Sequence, residues 1–169
     1  MGQGEYIFKH DKRVTDFYIQ STNYILNKLN LKKIMVPLDG SKNSIRGLEH
    51  AISLAKLAGA SIVGTHVSYV PGNLANPRQG FINQELVKEA KRYLDTAKKQ
   101  CDENNIRFTS EIIPGIPSTG IVKFAHNAKN KINLIVMGTR GLSSAKEAFL
   151  GSVSNHVVHK SKVPVLLIN

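Results

Sequence analysis

The chain has 169 residues, of which 41% are hydrophobic, and it carries a formal net charge of +11 and a single cysteine. This composition indicates one globular domain of ordinary size and excludes an intramolecular disulfide or a cysteine-based zinc cluster. No apolar run approaches the ~20 residues of a membrane span, and the N-terminus lacks the apolar core of a signal peptide, so we expect a cytoplasmic protein.

Residues 1–30 are predicted to be an N-terminal extension that lies outside the main domain, residues 31–169. Apolar side chains in the extension recur at spacings of three and four, which predicts an amphipathic helix over about Arg13 to Leu29. The apolar stripe of this helix needs cover from its own domain or from a second copy. A helix lying on a membrane surface is the weaker alternative, because the stripe is modest and rich in tyrosine.

From residue 31 onwards, short apolar runs alternate with amphipathic stretches. Strands are predicted at Lys33 to Leu38, Ser61 to Tyr69, Ile106 to Ile113, Leu134 to Met137 and Val163 to Ile168. Helices are predicted at about 41–59, Ile82 to Glu103, Ser118 to Lys129 and Phe149 to Lys160, with a loop over Pro71 to Gly80. Strands alternating with helices indicate right-handed βαβ units, a parallel sheet and an α/β fold.

The helical periodicity also predicts which side chains face the core. In the first helix, which Ser41 caps and Gly59 ends, the inward residues are Ile45, Leu48, Ile52 and Ala55. In the second helix they are Leu86, Ala90, Tyr93, Ala97 and Cys101. In the third helix they are Ile121, Phe124, Ala125 and Ala128.

The fold class that best fits this pattern is a doubly wound five-stranded sheet with helices on both faces. In its commonest order, 3-2-1-4-5, the first and fourth strands are neighbours, and ligands bind at that switch point beyond the carboxyl ends of the strands. The residues that the order places there are Pro37, Asp39 and the segment from Gly138 to Gly141.

The segment from Met137 to Ser154, MGTRGLSSAKEAFLGSVS, is punctuated by glycines and leads into the last helix. Glycines allow close approach to a ligand, and helix N-terminal N–H groups bind phosphate. Arg140 supplies a cation, and the Asp39 carboxylate suits ribose hydroxyls, so the segment predicts a mononucleotide site. It is neither a Walker A loop nor a dinucleotide fingerprint.

The chain resembles the universal stress proteins, specifically their ATP-binding branch. The resemblance covers about residues 31–169 and rests on KIMVPLDGS, GTHV, GIP, IVMGTRG and LGSVSNHV. It implies nucleotide contacts by Pro37, Leu38, Asp39, Val67, Met137, Gly138, Arg140, Gly141, Gly151, Ser152, Val153 and Ser154. It also implies that Mg or Mn is held through the phosphates, and that two copies pair through the strand Val163 to Ile168. The exposed edge of that apolar strand independently favours a homodimer.

Several of these residues have simpler interpretations. Asp39 can serve the Gly40-Ser41 turn, and Gly138 and Gly141 can form a tight connection. His66, in the middle of a strand, is predicted to be a packed and hydrogen-bonded histidine. His156 and His159 share a helix face, but no third ligand accompanies them, so solvated or interface positions are favoured over a metal site.

The sequence contains no catalytic constellation, because nothing supplies the positioned acid or base that phosphoryl transfer requires. It therefore predicts a nucleotide-binding regulatory module that changes shape or partner on binding ATP or AMP, with slow ATP hydrolysis at most. The family resemblance implies that this module acts in a stress response. The alternatives are an ATP-dependent enzyme of the related nucleotide-binding α/β class, and a polyanion binder that uses the basic surface to hold nucleic acid.

Overall fold

The structure, a computed structural model, describes residues 31–68, 84–142 and 150–169, with the backbone alone at 84–86. The predicted helix at Arg13 to Leu29, the predicted loop at Pro71 to Gly80, the side chain of Leu86 and the predicted helix start at Phe149 lie outside the described residues. None of the helices within the described ranges is long and apolar enough to cross a membrane.

The strands form one parallel sheet in the order β3-β2-β1-β4-β5. Their bounds are β1 Lys33–Pro37, β2 Ser61–Ser68, β3 Phe108–Pro114, β4 Leu134–Gly138 and β5 Val165–Ile168. In register, β1 runs from Lys33 opposite Ser61 to Pro37 opposite Thr65. The predicted fold class and strand order are confirmed, and β1 and β4 lie side by side at the centre of the sheet.

Helices cover both faces of this sheet. They are α1 Lys42–Ala58, α2 Gln84–Glu103, α3 Pro117–His126 and α4 Ser152–Lys160, with a short 3-10 helix at Ala128–Asn130. One buried cluster joins the sheet to α1 and α2 through residues such as Leu48 and Leu94. The other joins it to α3 and α4 through Ile121 and Val157. Both faces of the three central strands, β1, β2 and β4, are therefore mostly buried, as their continuous apolar runs require.

The ends of α1 are set by the predicted residues. The Ser44 N–H donates to Ser41 Oγ at 3.1 Å, which caps the first turn. Gly59 ends the helix in the left-handed region, at φ 64°, where glycine is unstrained. This first helix starts directly after the Asp39-Gly40 turn, so its cap also orients the end of β1.

Some predicted inward positions are wrong. Ile45 is 41% exposed, because the buried face of α1 runs through Ser44, Leu48 and Ala51 and leaves Ile45 at its side. Tyr93 is only half-buried, and the neighbouring Leu94 takes the core position.

Ala128 is exposed because the third helix ends at His126, before the predicted Lys129. There the Asn127 side chain accepts from the Lys129 N–H at 3.1 Å and caps the 3-10 helix instead.

Two predicted strands begin later than expected. In each case the backbone N–H at the predicted start makes a hydrogen bond outside the sheet. The Ile106 N–H donates to Cys101 O at 2.9 Å, at the end of α2, so β3 starts at Phe108. The Val163 N–H donates to Ser161 Oγ at 3.0 Å, and Pro164 has no N–H, so β5 starts at Val165. These differences leave the order of the elements unchanged.

Candidate functional site

A cavity of about 300 Å³ lies at the carboxyl ends of β1 and β4. This volume is at the lower end of the roughly 300–1,000 Å³ typical of small-molecule sites. Every residue for which the family resemblance implies a nucleotide contact lines it: Pro37, Leu38, Asp39, Val67, Met137, Gly138, Arg140, Gly141, Gly151, Ser152, Val153 and Ser154. Segments far apart in the chain are thus brought to one cavity at the switch point of the sheet.

Asp39 bridges the two loops that flank the cavity. Its Oδ1 accepts from the Ser41 N–H at 3.0 Å, and its Oδ2 accepts from the Leu142 N–H at 3.3 Å. The first bond is the turn interaction that the simpler interpretation expects. Each carboxylate oxygen has a second lone pair, so both contacts leave acceptor capacity for a hydroxyl donor.

The glycines of the β4 loop allow close packing inside the protein. A Cβ on Gly138 would lie 2.7 Å from Asn43 Cβ and 2.8 Å from Asn43 C, in the first turn of α1. A Cβ on Gly141 would collide with Asp39 Oδ2. Both glycines therefore bring the β4 loop close to the β1 end and α1, which closes one side of the cavity.

The N-terminus of α4 is tied to the end of β4. The Gly151 N–H donates to Thr139 O at 2.8 Å, and the buried Ser154 Oγ donates to the same oxygen at 2.5 Å. Gly151 provides no side-chain cap for the helix, and Ser152 at its first position is exposed. The first N–H groups of a helix have no partner within it, so this end can bind an anion.

Arg140 is held at the cavity by the C-terminal residue of the chain. Its Nη2 donates to Asn169 Oδ1 at 3.2 Å, and Thr139 Oγ1 donates to the same oxygen at 3.2 Å. The guanidinium and the α4 N-terminus together make this half of the cavity electropositive.

The opposite half of the cavity is mainly apolar. Pro37, Val67, Pro117, Ile121 and Met137 contribute to its lining. A cavity with one apolar half and one electropositive half can hold a flat ring joined to an anionic group.

Other lining residues were not assigned to the site from the sequence: Ser44, Thr65, His66, Pro117, Ile121, Thr139 and Leu142. The half-buried His66 makes a hydrogen bond of 2.8 Å from Nδ1 to Leu38 O, which agrees with a packed histidine. Strand alternation offered one usable signal, since Thr65 lies two residues before Val67 and therefore shares its face of β2.

The described ranges contain no group of three or more His, Cys, Asp or Glu side chains that could hold a metal ion. Cys101 is buried in the cluster beneath α2, remote from the cavity lining. Removal from water raises the pKa of its thiol to about 11, and the neighbouring Asp102 charge adds to this rise.

Comparison with known proteins gives consistent matches. The model of the universal stress protein family matches residues 30–169. Universal stress protein MJ0531 of Methanocaldococcus jannaschii is 36% identical over an alignment of 154 positions, and the match covers 86% of this chain and 89% of the relative.

Solved structures also match most of the chain. That of MJ0577 from the same organism has a TM-score of 0.72 at 30% identity, covering 81% of this chain and 94% of that one. A universal stress protein in complex with cAMP has a TM-score of 0.62 at 25% identity, covering 82% and 97%. The residues matched by the family model, 30–169, contain the whole described sheet and the described lining of the cavity.

Proposed function

This chain belongs to the universal stress protein family, and we propose that it binds an adenine nucleotide, ATP or AMP, in the cavity between β1 and β4. The observation that carries the proposal is the division of the cavity into an apolar half and an electropositive half. The cAMP complex of a similar family member supports it.

Each part of a nucleotide has a complementary part of the cavity. The base would lie among Pro37, Val67 and Ile121, where burial of its rings is favourable. The phosphates would lie against the α4 N-terminus, Ser152 and Arg140. The remaining acceptor capacity of Asp39, between these two halves, suits the ribose hydroxyls.

Mg or Mn would be held mainly through the phosphates of the nucleotide. The phosphate half of the cavity presents N–H groups, hydroxyls and a guanidinium, which bind phosphate oxygens rather than a cation. Asp39 is the carboxylate among the described lining residues, and two backbone N–H groups already bond to it. This set of donors fits a nucleotide whose phosphates already coordinate the metal ion.

We propose that the output of binding is regulatory rather than catalytic. Among the described lining residues, no acid or base is placed beside the N-terminus of α4, and Asp39 is engaged in the turn. The site therefore supports a nucleotide-dependent switch with slow ATP hydrolysis at most. Fast, saturable ATP turnover at low protein concentration would contradict this and favour the ATP-dependent enzyme.

The test places a carboxylate where the phosphates would lie. Ser152→Asp puts negative charge at the first position of α4, which repels phosphate but favours the helix dipole, so the fold should remain intact. Titration calorimetry with magnesium and ATP should show affinity reduced by at least about tenfold, or about 1.4 kcal/mol.

The matched control is Ser53→Asp, the same change at an exposed position of α1 that does not line the cavity. It should bind ATP as the wild-type chain does. Equal affinity in the wild type and Ser152→Asp would contradict the proposed phosphate position.

A second candidate function, polyanion binding, is favoured by the distribution of charge. The described residues 112–142 and 150–169 contain no Asp or Glu. Exposed cations on these segments are Lys123, Lys129, Lys131, Lys160 and Lys162. This candidate predicts affinity for duplex DNA that falls steeply with salt and does not change when ATP is added. Binding that is insensitive to salt would rule it out.

A further inference from the structure

The edge of the sheet at which the strands begin, here called the amino edge, lies opposite the candidate cavity. All strands of a parallel sheet begin at the same edge, and the helices that run back between them end there. Five exposed lysines, here called the lysine cluster, lie just before β1, β4 and β5 or at the end of α4: Lys32, Lys129, Lys131, Lys160 and Lys162. The half of the amino edge formed by these three strands is therefore strongly basic.

Hydrogen bonds hold the segments that carry the cluster next to one another. The Lys32 N–H donates to Asn133 Oδ1 at 3.0 Å, two residues after Lys131, and so joins the starts of β1 and β4. The Lys162 N–H donates to His126 Nε2 at 2.8 Å, which joins the start of β5 to the end of α3. The positions of the lysines are thus fixed by the backbone of the fold.

Carboxylates do not neutralise the cluster within the described part of the chain. The described segments 31–38, 112–142 and 150–169 contain no Asp or Glu. Asp102 and Glu103 end α2, which packs against β2 and β3 in the other half of the sheet. Lys98 Nζ lies 2.6 Å from Asp102 Oδ2, and Lys99 Nζ lies 4.0 Å from Glu103 Oε1. These acidic side chains are therefore paired within their own helix.

We propose that the lysine cluster binds the phosphate backbone of a nucleic-acid duplex. Adjacent strands lie about 4.8 Å apart, so β1 and β5, on either side of β4, begin about 10 Å apart. A DNA duplex carries one charge per ~1.7 Å of its axis, so several phosphates fall within this span. This inference rests on the second candidate function, polyanion binding, and assigns it a site at the edge opposite the nucleotide cavity.

The chemistry of the cluster favours a duplex over a membrane or a single strand. Elements that bind membrane surfaces combine cations with exposed large apolar side chains. Beside the cluster, Leu31 and Ile132 are buried and Val163 is half-buried. Single strands are bound by stacking of bases on exposed aromatic rings. The described segments that carry the cluster have no exposed Phe, Tyr or Trp, so they offer charge alone.

The experiment compares two double variants that lose the same charge. Lys129→Gln with Lys162→Gln removes two cations of the cluster and keeps the backbone N–H bonds of both residues. Lys88→Gln with Lys91→Gln, the control, removes two exposed cations of α2. Both variants should fold, because all four side chains are exposed. Each full chain is titrated with a short labelled DNA duplex over a range of salt concentrations, and fluorescence anisotropy reports binding.

The cluster variant should bind the duplex about tenfold more weakly than the wild type. The slope of log affinity against log salt should become less steep by about 2, because each lost phosphate contact contributes roughly 0.9. The control should keep the affinity and the slope of the wild type. Equal losses in the two variants would show that diffuse charge holds the duplex, and would overturn the inference while polyanion binding stands.

Two further arms test the location and the partner. Saturating magnesium and ATP should leave duplex affinity unchanged; displacement of the duplex would place it in the nucleotide cavity and overturn the inference. Binding to phosphatidylserine vesicles without binding to the duplex would identify a membrane partner and would also overturn it. If the wild type binds neither, polyanion binding and the inference fail together, while nucleotide binding is unaffected.

Discussion

At the scale of single residues, the glycines of the β4 loop have a structural role that does not depend on any ligand. Gly138 packs against the backbone and Cβ of Asn43, so the end of β4 approaches α1 more closely than any other residue type would permit. The spacing of the glycines in the sequence therefore reflects the packing of the β4 end against α1 as well as the shape of the cavity.

Gly138→Ala should destabilise the fold by about 1–3 kcal/mol, the usual cost of overpacking, because its Cβ would lie 2.7 Å from Asn43 Cβ. Urea denaturation measures the change. Gly47→Ala is the control: its Cβ would meet nothing closer than 3.5 Å, and it improves helix propensity, so its stability should be unchanged or higher. Wild-type stability in Gly138→Ala would contradict the packing.

The buried thiol of Cys101 should make stability fall at alkaline pH. Burial raises its pKa from 9.0 to about 11, so the folded state keeps the proton longer than the unfolded state does. Below pH 9 the thiol is protonated in both states, and its full contribution to the free energy of unfolding is present. Between pH 9 and 11 the thiol ionises in the unfolded state but not in the folded state, so this contribution is lost. The loss approaches about 3 kcal/mol.

Urea denaturation of the wild type and Cys101→Ala across this pH range isolates the effect, because the other titrating groups are common to both proteins. The wild type should lose more stability than the variant as pH rises. Parallel curves would show that the thiol is accessible to water in the folded state.

At the scale of elements, hydrophobic periodicity predicted the order of strands and helices, because each element buries one face or both. The ends of helices and strands depend on local hydrogen bonds, which the hydrophobic periodicity of the sequence does not reveal. Asn127 caps a 3-10 helix, and Ser161 binds the backbone before β5. These local bonds account for the shorter third helix and the later start of the last strand.

Part of the cavity was also predictable from the sequence. Its loops follow strand ends, where the fold class places a ligand, and their glycines are visible in the sequence. The contact of Asn169 with Arg140 joins residues 29 positions apart, and no local pattern signals it. Thr65 was missed because nothing in the sequence distinguishes it from other threonines in strands.

Ser41→Ala should reduce stability by about 1 kcal/mol, because it removes the oxygen that accepts from the Ser44 N–H at the start of α1. Thermal or urea unfolding provides the measurement. Ser53→Ala, in the exposed middle of the same helix, should be neutral or slightly stabilising. Similar effects for the two variants would mean that the cap contributes nothing.

At the scale of the whole molecule, the described sheet has two edge strands, β3 and β5, and β5 is the more apolar of them. It lies at one end of the described sheet, and Leu166 on it is 38% exposed. An apolar edge strand invites pairing with another chain. We propose that two copies pair through this strand, as the family resemblance implies.

Light scattering at micromolar concentration should give the mass of a dimer for the intact chain. Leu166→Lys places like charges near each other across the paired edge and should shift the population toward monomer. Leu57→Lys, at a 62% exposed position on α1, is the control and should remain dimeric. A monomeric wild type would contradict the assembly.

The most direct test of the central proposal is a crystal structure of the full chain grown with magnesium and ATP. We expect the base in the apolar half between Pro37 and Ile121, and the phosphates at the N-terminus of α4 beside Ser152 and Arg140. A cavity that stays empty at saturating ATP, or a nucleotide bound elsewhere on the surface, would contradict the account.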